Sequence, residues 1–361
     1  AGVKRAVESG RARLIVVDPR RIKIAEFAET YLRPSLGTDV AWINGMMHVI
    51  IKEDLHDKQF VEERTEGFEE LKAAVEKYTP EYVETVTGIP AAQLVEAARL
   101  YARAGVGSIL YCMGITQHTS GTDNVKSLAN LAMLCGNLGM PGGGVNPLRG
   151  QNNVQGACDM GGLPNVFTAY QPVNNDDTSQ KMGAAWGVDG LSTSIGMKAT
   201  EMIPAAHEGR LKALYIIGEN PLVSDPDLNH AEDCLDHLEL KVVQDLFMTE
   251  TARKADVLFP SRCFAEKDGT FSNTERRVQR VRRAVDAPGE AWDDWKIVAE
   301  LSGRMGYPMD YADSEAIFEE IRQVTPSYAG ITYKRIEMEG LHWPCLNEEH
   351  PGTPILHSAQ F

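Results

Sequence analysis

The sequence predicts an α/β protein, with two doubly wound parallel-sheet units and a small irregular α+β part. Three observations carry this. Short runs rich in valine, isoleucine and leucine alternate with longer helical stretches, the pattern of parallel strands joined by helical crossovers. Several runs end in an acidic residue or a glycine, at the carboxyl edge where open α/β sheets bind ligands. Between 264 and 285 the alternation lapses. There Gly269-Thr-Phe-Ser-Asn-Thr and the basic run Arg276, Arg277, Arg280, Arg282, Arg283 suggest an irregular or antiparallel excursion.

In chain order, residues 3–12 read as a charged amphipathic helix, and 14–17 as a strand closed by Asp18-Pro19-Arg20. A helix is expected over 22–30. Leu36-Gly37-Thr38-Asp39 is a turn offering an N-cap to the apolar helix 40–51. The stretch 57–104 is charged and helical, interrupted by Pro80 and Pro90, and Pro90 suits a first helical turn. Residues 108–112 form a strand ending at Gly114, and 122–135 a helix. In the second half, 213–217, 240–243 and 255–259 are strands. They are closed by Gly218-Glu219-Asn220-Pro221, by Gln244-Asp245 and by Pro260. A helix near 292–304 carries Trp292 and Trp295.

A length of 361 residues suits two or three domains. A hydrophobic fraction of 43% with 24% charged residues is that of an ordinary globular chain. The net charge of −15 leaves no basic excess to displace counterions, so no nucleic-acid partner is expected. The basic run is read as offsetting local acid or facing an anionic group. No apolar run is long enough to span a bilayer, and the opening Ala-Gly-Val-Lys-Arg-Ala has no apolar signal core. A cytoplasmic location is therefore expected, with the periplasm left open. The cysteines at 112, 135, 158, 234, 263 and 345 form no Cys-x-x-Cys pair, so no zinc or cluster-binding run is visible. They are expected as buried free thiols. No Gly-x-Gly-x-x-Gly follows a strand, which argues against an ordinary nicotinamide dehydrogenase.

The most informative stretch is 145–162, and the glycine-rich segment 138–144 leads into it. It lacks apolar periodicity, so neither a packed helix nor a half-buried strand is expected there. Between its glycines sit Arg149, Gln151, Asn152, Asn153 and Gln155, one fixed cation and four amides. This reads as a loop wrapped around a large polar anion, with Arg149 aimed at a carboxylate or phosphate.

Several long motifs then align in order: Val16–Arg21, Gly-Ile-Thr-Gln-His from Gly114, and Leu-Ala-Met-Leu-Cys-Gly-Asn-Leu-Gly from Leu131. They continue with Arg-Gly-Gln-Asn-Asn-Val-Gln-Gly-Ala-Cys-Asp-Met-Gly from Arg149, 215–221, 242–252 and 255–261. Together they resemble the molybdopterin oxidoreductases, and most of all the catalytic (alpha) subunits of formate dehydrogenases of the H type.

The resemblance implies residue roles. Asp18, Arg20 and Asp39 would hold the guanosine end of one molybdopterin guanine dinucleotide, with Met113, Gly114 and Gly150 beside the pterin. Gly218, Glu219, Asn220, Gln244, Asp245, Ser261 and Asp294 would hold the second. From spacing alone, Asp18 and Asp39 fit turn capping equally well, and Asp294 fits the start of a helix. Arg149 would grip formate through a bidentate pair, with Gln151 close by, and both are taken as catalytic. His118 is read either as a structural histidine or as a pterin contact.

The resemblance also implies a bis-molybdopterin guanine dinucleotide with molybdenum or tungsten, interconverting formate and carbon dioxide and feeding electrons to a 4Fe-4S cluster in anaerobic metabolism. The cluster domain and the cysteine or selenocysteine metal ligand are expected upstream, and a β-barrel domain downstream. The chain is thus expected to be a central fragment, inactive alone, of a protein that works with electron-transfer subunits. The expected domains are 1–150, then 151–263 with 293–314, with 264–292 and 315–361 packing on the iron–sulfur domain. A nitrate reductase, or a cofactor-free homologue in a respiratory complex, stays open as an alternative.

Overall fold

In a computed structural model, which describes residues 2–359, the apolar stretch after Thr38 forms the helix Asp39–Lys52. Ile43, Met47 and Ile50 on it are fully buried. Burying side chains of this size is worth about 1.5–3 kcal/mol each. A β carbon at Gly45 would meet Val83 Cγ2 at 2.7 Å and Leu94 Cδ2 at 2.9 Å. Glycine therefore lets this helix lie close against the helices Pro80–Thr87 and Ala91–Ala102. Leu128, Leu131 and Leu134 of the helix Gly121–Leu134 complete that core.

The chain divides into two compact units, Ala1–Gly150 with Ile355–Phe361, and Gln151–Pro354. The first holds two parallel pairs. Strand β1 (Ile15–Val17) pairs with β2 (Thr30–Leu32), and β3 (Ser108–Tyr111) with β4 (Gly144–Pro147). Two expectations are corrected here. The helix expected over 22–30 is only a 3-10 turn, Lys23–Phe27, and Thr30 begins β2. Thr30 and Leu32 are buried with Tyr31 less so, a period-two pattern that favours the strand. The glycine-rich stretch, expected to hold neither a packed helix nor a half-buried strand, contains the short helix Val154–Asp159 and, at its start, β4. Backbone pairing with β3 fixes it, helped by Asn146 Nδ2 donating to Ser108 Oγ at 2.9 Å, with Val145 packed on the core.

In the second unit, β5 (Ala213–Ile217), β6 (Leu240–Asp245) and β7 (Val257–Pro260) form a parallel sheet with β6 central. Ile216 and Val243 pack there with Cys234 and Leu235 of the helix Leu228–Asp236. The excursion is antiparallel. Strand β8 (Gly269–Ser272) pairs with β9 (Arg277–Val281), and β9 with β10 (Leu341–His342). Val278, Phe318, Tyr328 and Ile331 form its core.

The basic run meets local acid. Arg277 pairs with Glu275, Arg282 with Glu337 and Arg283 with Asp286. The cysteines are free thiols, but only Cys234 and Cys345 are buried, and Cys112 is exposed. Among the described residues, no helix is long and apolar enough to cross a membrane.

Candidate functional site

At the carboxyl end of β1, Asp18 Oδ1 accepts the Arg20 backbone N–H at 2.7 Å, closing a local turn. The Tyr31 hydroxyl donates to the Asp18 carbonyl at 2.9 Å. Arg20 is exposed. Thr38 occupies the N-cap without a side-chain cap bond, and Asp39 is the first helical residue. A carboxylate there is favoured by the helix dipole. Asp39 Oδ1 accepts from Trp42 Nε1 at 3.3 Å. Its Oδ2 lies 3.9 Å from His118 Nε2, and that same nitrogen is 2.9 Å from the Gly114 carbonyl. His118 thus stands beside Asp39 while bonding the turn after β3.

Met113 and Gly114 open the short helix Met113–Thr116 directly after β3, and both are exposed. Arg149 and Gly150 follow β4 on the neighbouring strand, where Leu148 N–H donates to the Tyr111 carbonyl at 2.7 Å. Burial raises the Tyr111 phenol above its ordinary range, and the Arg149 guanidinium opposes that rise. The β3–β4 edge therefore gathers Met113, Gly114, Arg149 and Gly150 around Tyr111. Tyr111 is a neighbour of Arg149 that sequence reasoning missed, because only the strand register brings it there.

The second unit brings its predicted residues to one edge. Gly218 follows β5 with φ of +63°, the left-handed region, and a β carbon there would meet nothing within 4 Å. Open space thus faces this backbone. Its N–H donates to the Gln244 carbonyl at 2.9 Å. Glu219 is exposed and accepts from Ser224 Oγ at 2.8 Å. Asn220 donates to Glu250 at 2.8 Å and accepts from Thr251 Oγ1 at 2.7 Å. Asp245 Oδ1 accepts the Leu246 N–H at 2.6 Å, and Ser261 N–H donates to the Asp245 carbonyl at 3.1 Å.

Gln244 is fully buried. It accepts from the Tyr215 hydroxyl at 2.5 Å and donates to Asp294 Oδ1 at 2.7 Å, while the other Asp294 oxygen pairs with Lys267. Its side chain therefore positions Asp294 rather than facing solvent. Beyond Asp245, Phe247 is 75% exposed and forms an apolar lip with Leu246 and Met248.

The glycine-rich motif divides in function. Gln151 and Asn152 are exposed, as a ligand-facing reading requires. Asn153 and Gln155 are not ligand-facing. Asn153 Oδ1 accepts the Ser272 N–H at 2.9 Å, and Gln155 Nε2 donates to Asp159 at 2.8 Å inside the helix Val154–Asp159. Asp159 is fully buried. Its Oδ2 accepts from Tyr328 at 2.6 Å and Trp343 Nε1 at 2.7 Å, and its Oδ1 from Gln155 and from Tyr170 at 3.1 Å. Four donors offset the cost of burying the carboxylate. Arg276 lies over the Trp343 ring. Burial lowers its pKa, and the charge of Asp159 opposes that fall.

The residues at both edges suit nucleotide-bearing groups. Carboxylates at strand ends accept from ribose hydroxyls or a guanine edge, and open glycine backbone lets a pyrophosphate approach. This is a parallel α/β architecture with polar groups and open glycine backbone at its strand ends. The chain belongs to the molybdopterin oxidoreductase family, whose model matches residues 1–304. It is 54% identical over 361 residues to the F420-dependent formate dehydrogenase subunit alpha of Methanocaldococcus jannaschii, covering 99% of this chain and 53% of that protein. It is 44% identical over 353 residues to formate dehydrogenase H of Escherichia coli, covering 97% of this chain and 49% of that one. The chain thus spans about half the length of the curated relatives it matches. In fold it is similar to acetylene hydratase from Pelobacter acetylenicus, with a TM-score of 0.73 at 23% identity over 93% of this chain and 48% of that one.

Proposed function

We propose that this chain is part of a formate dehydrogenase that interconverts formate with carbon dioxide, a proton and two electrons. The observation that carries the reading is Arg149. It is an exposed cation at the carboxyl end of β4, inside a motif of a chain 54% identical to a protein named as a formate dehydrogenase subunit. Bound here, molybdenum or tungsten with two pterin guanine dinucleotides would supply the two-electron couple.

The chain's own residues would bind and orient. Asp18, Arg20 and Asp39 would hold one dinucleotide, with His118 beside Asp39. Gly218, Glu219, Asn220, Asp245, Ser261 and Asp294 would hold the other, with Gln244 behind Asp294. Met113, Gly114 and Gly150 would give the pterin a close backbone surface. The Arg149 guanidinium would hold the formate carboxylate at two points, and the Gln151 amide would limit its rotation. A 4Fe-4S cluster and partner subunits would drain the electrons.

The test is metal analysis of the full-length protein with parallel assays on formate and nitrate. Molybdenum or tungsten with formate-dependent dye reduction is expected. Nitrate reduction without formate oxidation would contradict the substrate. A folded protein without either metal would contradict the enzyme.

A further inference from the structure

We propose a surface site for a divalent zinc-class ion, built from His207, Asp233 and His237 at the amino edge of the β5–β6–β7 sheet. Asp233 and His237 stand four residues apart on one helix face, and His207 lies far from them in the sequence. The fold assembles them. His207 ends the helix Ala199–His207 shortly before β5, and His237 closes the helix Leu228–Asp236 shortly before β6. Their ligand atoms all lie within 4.8 Å of one another. His207 Nδ1 is 3.0 Å from Asp233 Oδ2, and the His207 and His237 rings are 4.5 Å apart.

Three features favour a cation there. Two helix carboxyl termini converge on the cluster, and their dipoles attract positive charge. The His237 Nδ1–H donates to the Asp233 carbonyl at 2.7 Å, which leaves Nε2 with a lone pair aimed outward. The neighbouring acids Glu232 and Asp236 are taken up by Lys254, at 2.7 and 2.9 Å, whereas Asp233 faces His207.

Ligands at the usual bond lengths around a tetrahedral ion stand about 3.4 Å apart, so small side-chain rotations complete the site. All three side chains are exposed, so rotation disturbs no core. Two imidazoles and one carboxylate select zinc, cobalt or nickel over calcium or magnesium. Water would complete the coordination, since His230, its ring 6.4 Å from that of His207, has its Nε2 3.5 Å from Cys234 Sγ. An ion there would staple the two helices across the start of β5 and β6.

The test is zinc titration of the intact protein against a chromophoric chelator, comparing wild type with a His207→Ala/His237→Ala double variant and with Asp233→Asn. Wild type is expected to hold one more zinc equivalent than the double variant. Asp233→Asn should bind that equivalent about 10-fold or more weakly. Equal stoichiometry and affinity would overturn the site. A second readout needs no variant: zinc should shield His207 and His237 from a histidine-acylating reagent in wild type, scored by peptide mass mapping. Equal labelling with and without zinc would overturn it as well.

Discussion

Arg149 and Asp159 stand in one glycine-rich motif and have opposite surroundings. Arg149 is exposed at the end of β4. Asp159 is sealed from water and saturated by Gln155, Tyr170, Tyr328 and Trp343. The first half of the motif presents groups outward. The second half is anchored by a buried network, which steadies the exposed Gln151 and Asn152 just before it. The strand edges show the same contrast, since Glu219 is exposed whereas Gln244 is fully buried and bonded at both ends of its amide. A motif residue is therefore not a ligand contact by membership alone.

Substitutions can break this comparison. The largest stability effect is expected at Asp159. Asp159→Ala leaves two tyrosine hydroxyls, an indole N–H and an amide without their acceptor, at a cost of about 3–5 kcal/mol. Chemical denaturation of the intact protein measures it, and a loss under about 1 kcal/mol would make the network ornamental.

Gln244→Leu comes next. It keeps volume but strips Tyr215 and Asp294 of a partner, and should cost about 1–3 kcal/mol. Asp245→Asn, at a part-exposed position, should cost less than about 0.5 kcal/mol. Equal costs at 244 and 245 would erase the distinction between positioning and presenting residues.

The smallest effect concerns pH. Burial, aided by Arg277, lowers the His342 pKa below its ordinary 6.5, with Glu275 opposing. The unfolded chain then binds more protons than the folded one in the window below 6.5, so stability is full above it and falls as pH falls. His342→Gln should flatten that acid limb slightly in a pH series of melting temperatures. A steeper limb in the variant would reverse the sign.

Much of this was legible in the sequence. Strands 213–217 and 108–112 ended where the apolar runs stopped, within a residue of β5 and β3. The polar strand ends also fell at the carboxyl edges. Three strands, β2, β4 and the two-residue β10, escaped because they are short or carry little apolar signal. β2 has three residues, and β4 is Gly-Val-Asn-Pro, paired through backbone groups that periodicity does not register. The inward turn of Asn153 and Gln155 was hidden for a related reason. Their partners, Ser272 and the Asp159 network, depend on tertiary contacts with residues as far away as 328 and 343. His207 likewise meets Asp233 and His237, one turn apart on their own helix, only because two helices end at the same edge.

The most direct test of the central claim, that Arg149 presents its charge to formate, is Arg149→Lys in the full-length enzyme. The substitution keeps the charge and loses the planar two-point grip. Molybdenum or tungsten per protein should stay at wild-type level, while the rate of formate oxidation falls roughly 30- to 1000-fold, the equivalent of about 2–4 kcal/mol in the transition state. Full metal with near-normal turnover would contradict the claim. Joint loss of metal and activity would also contradict it, by making Arg149 a cofactor-holding residue.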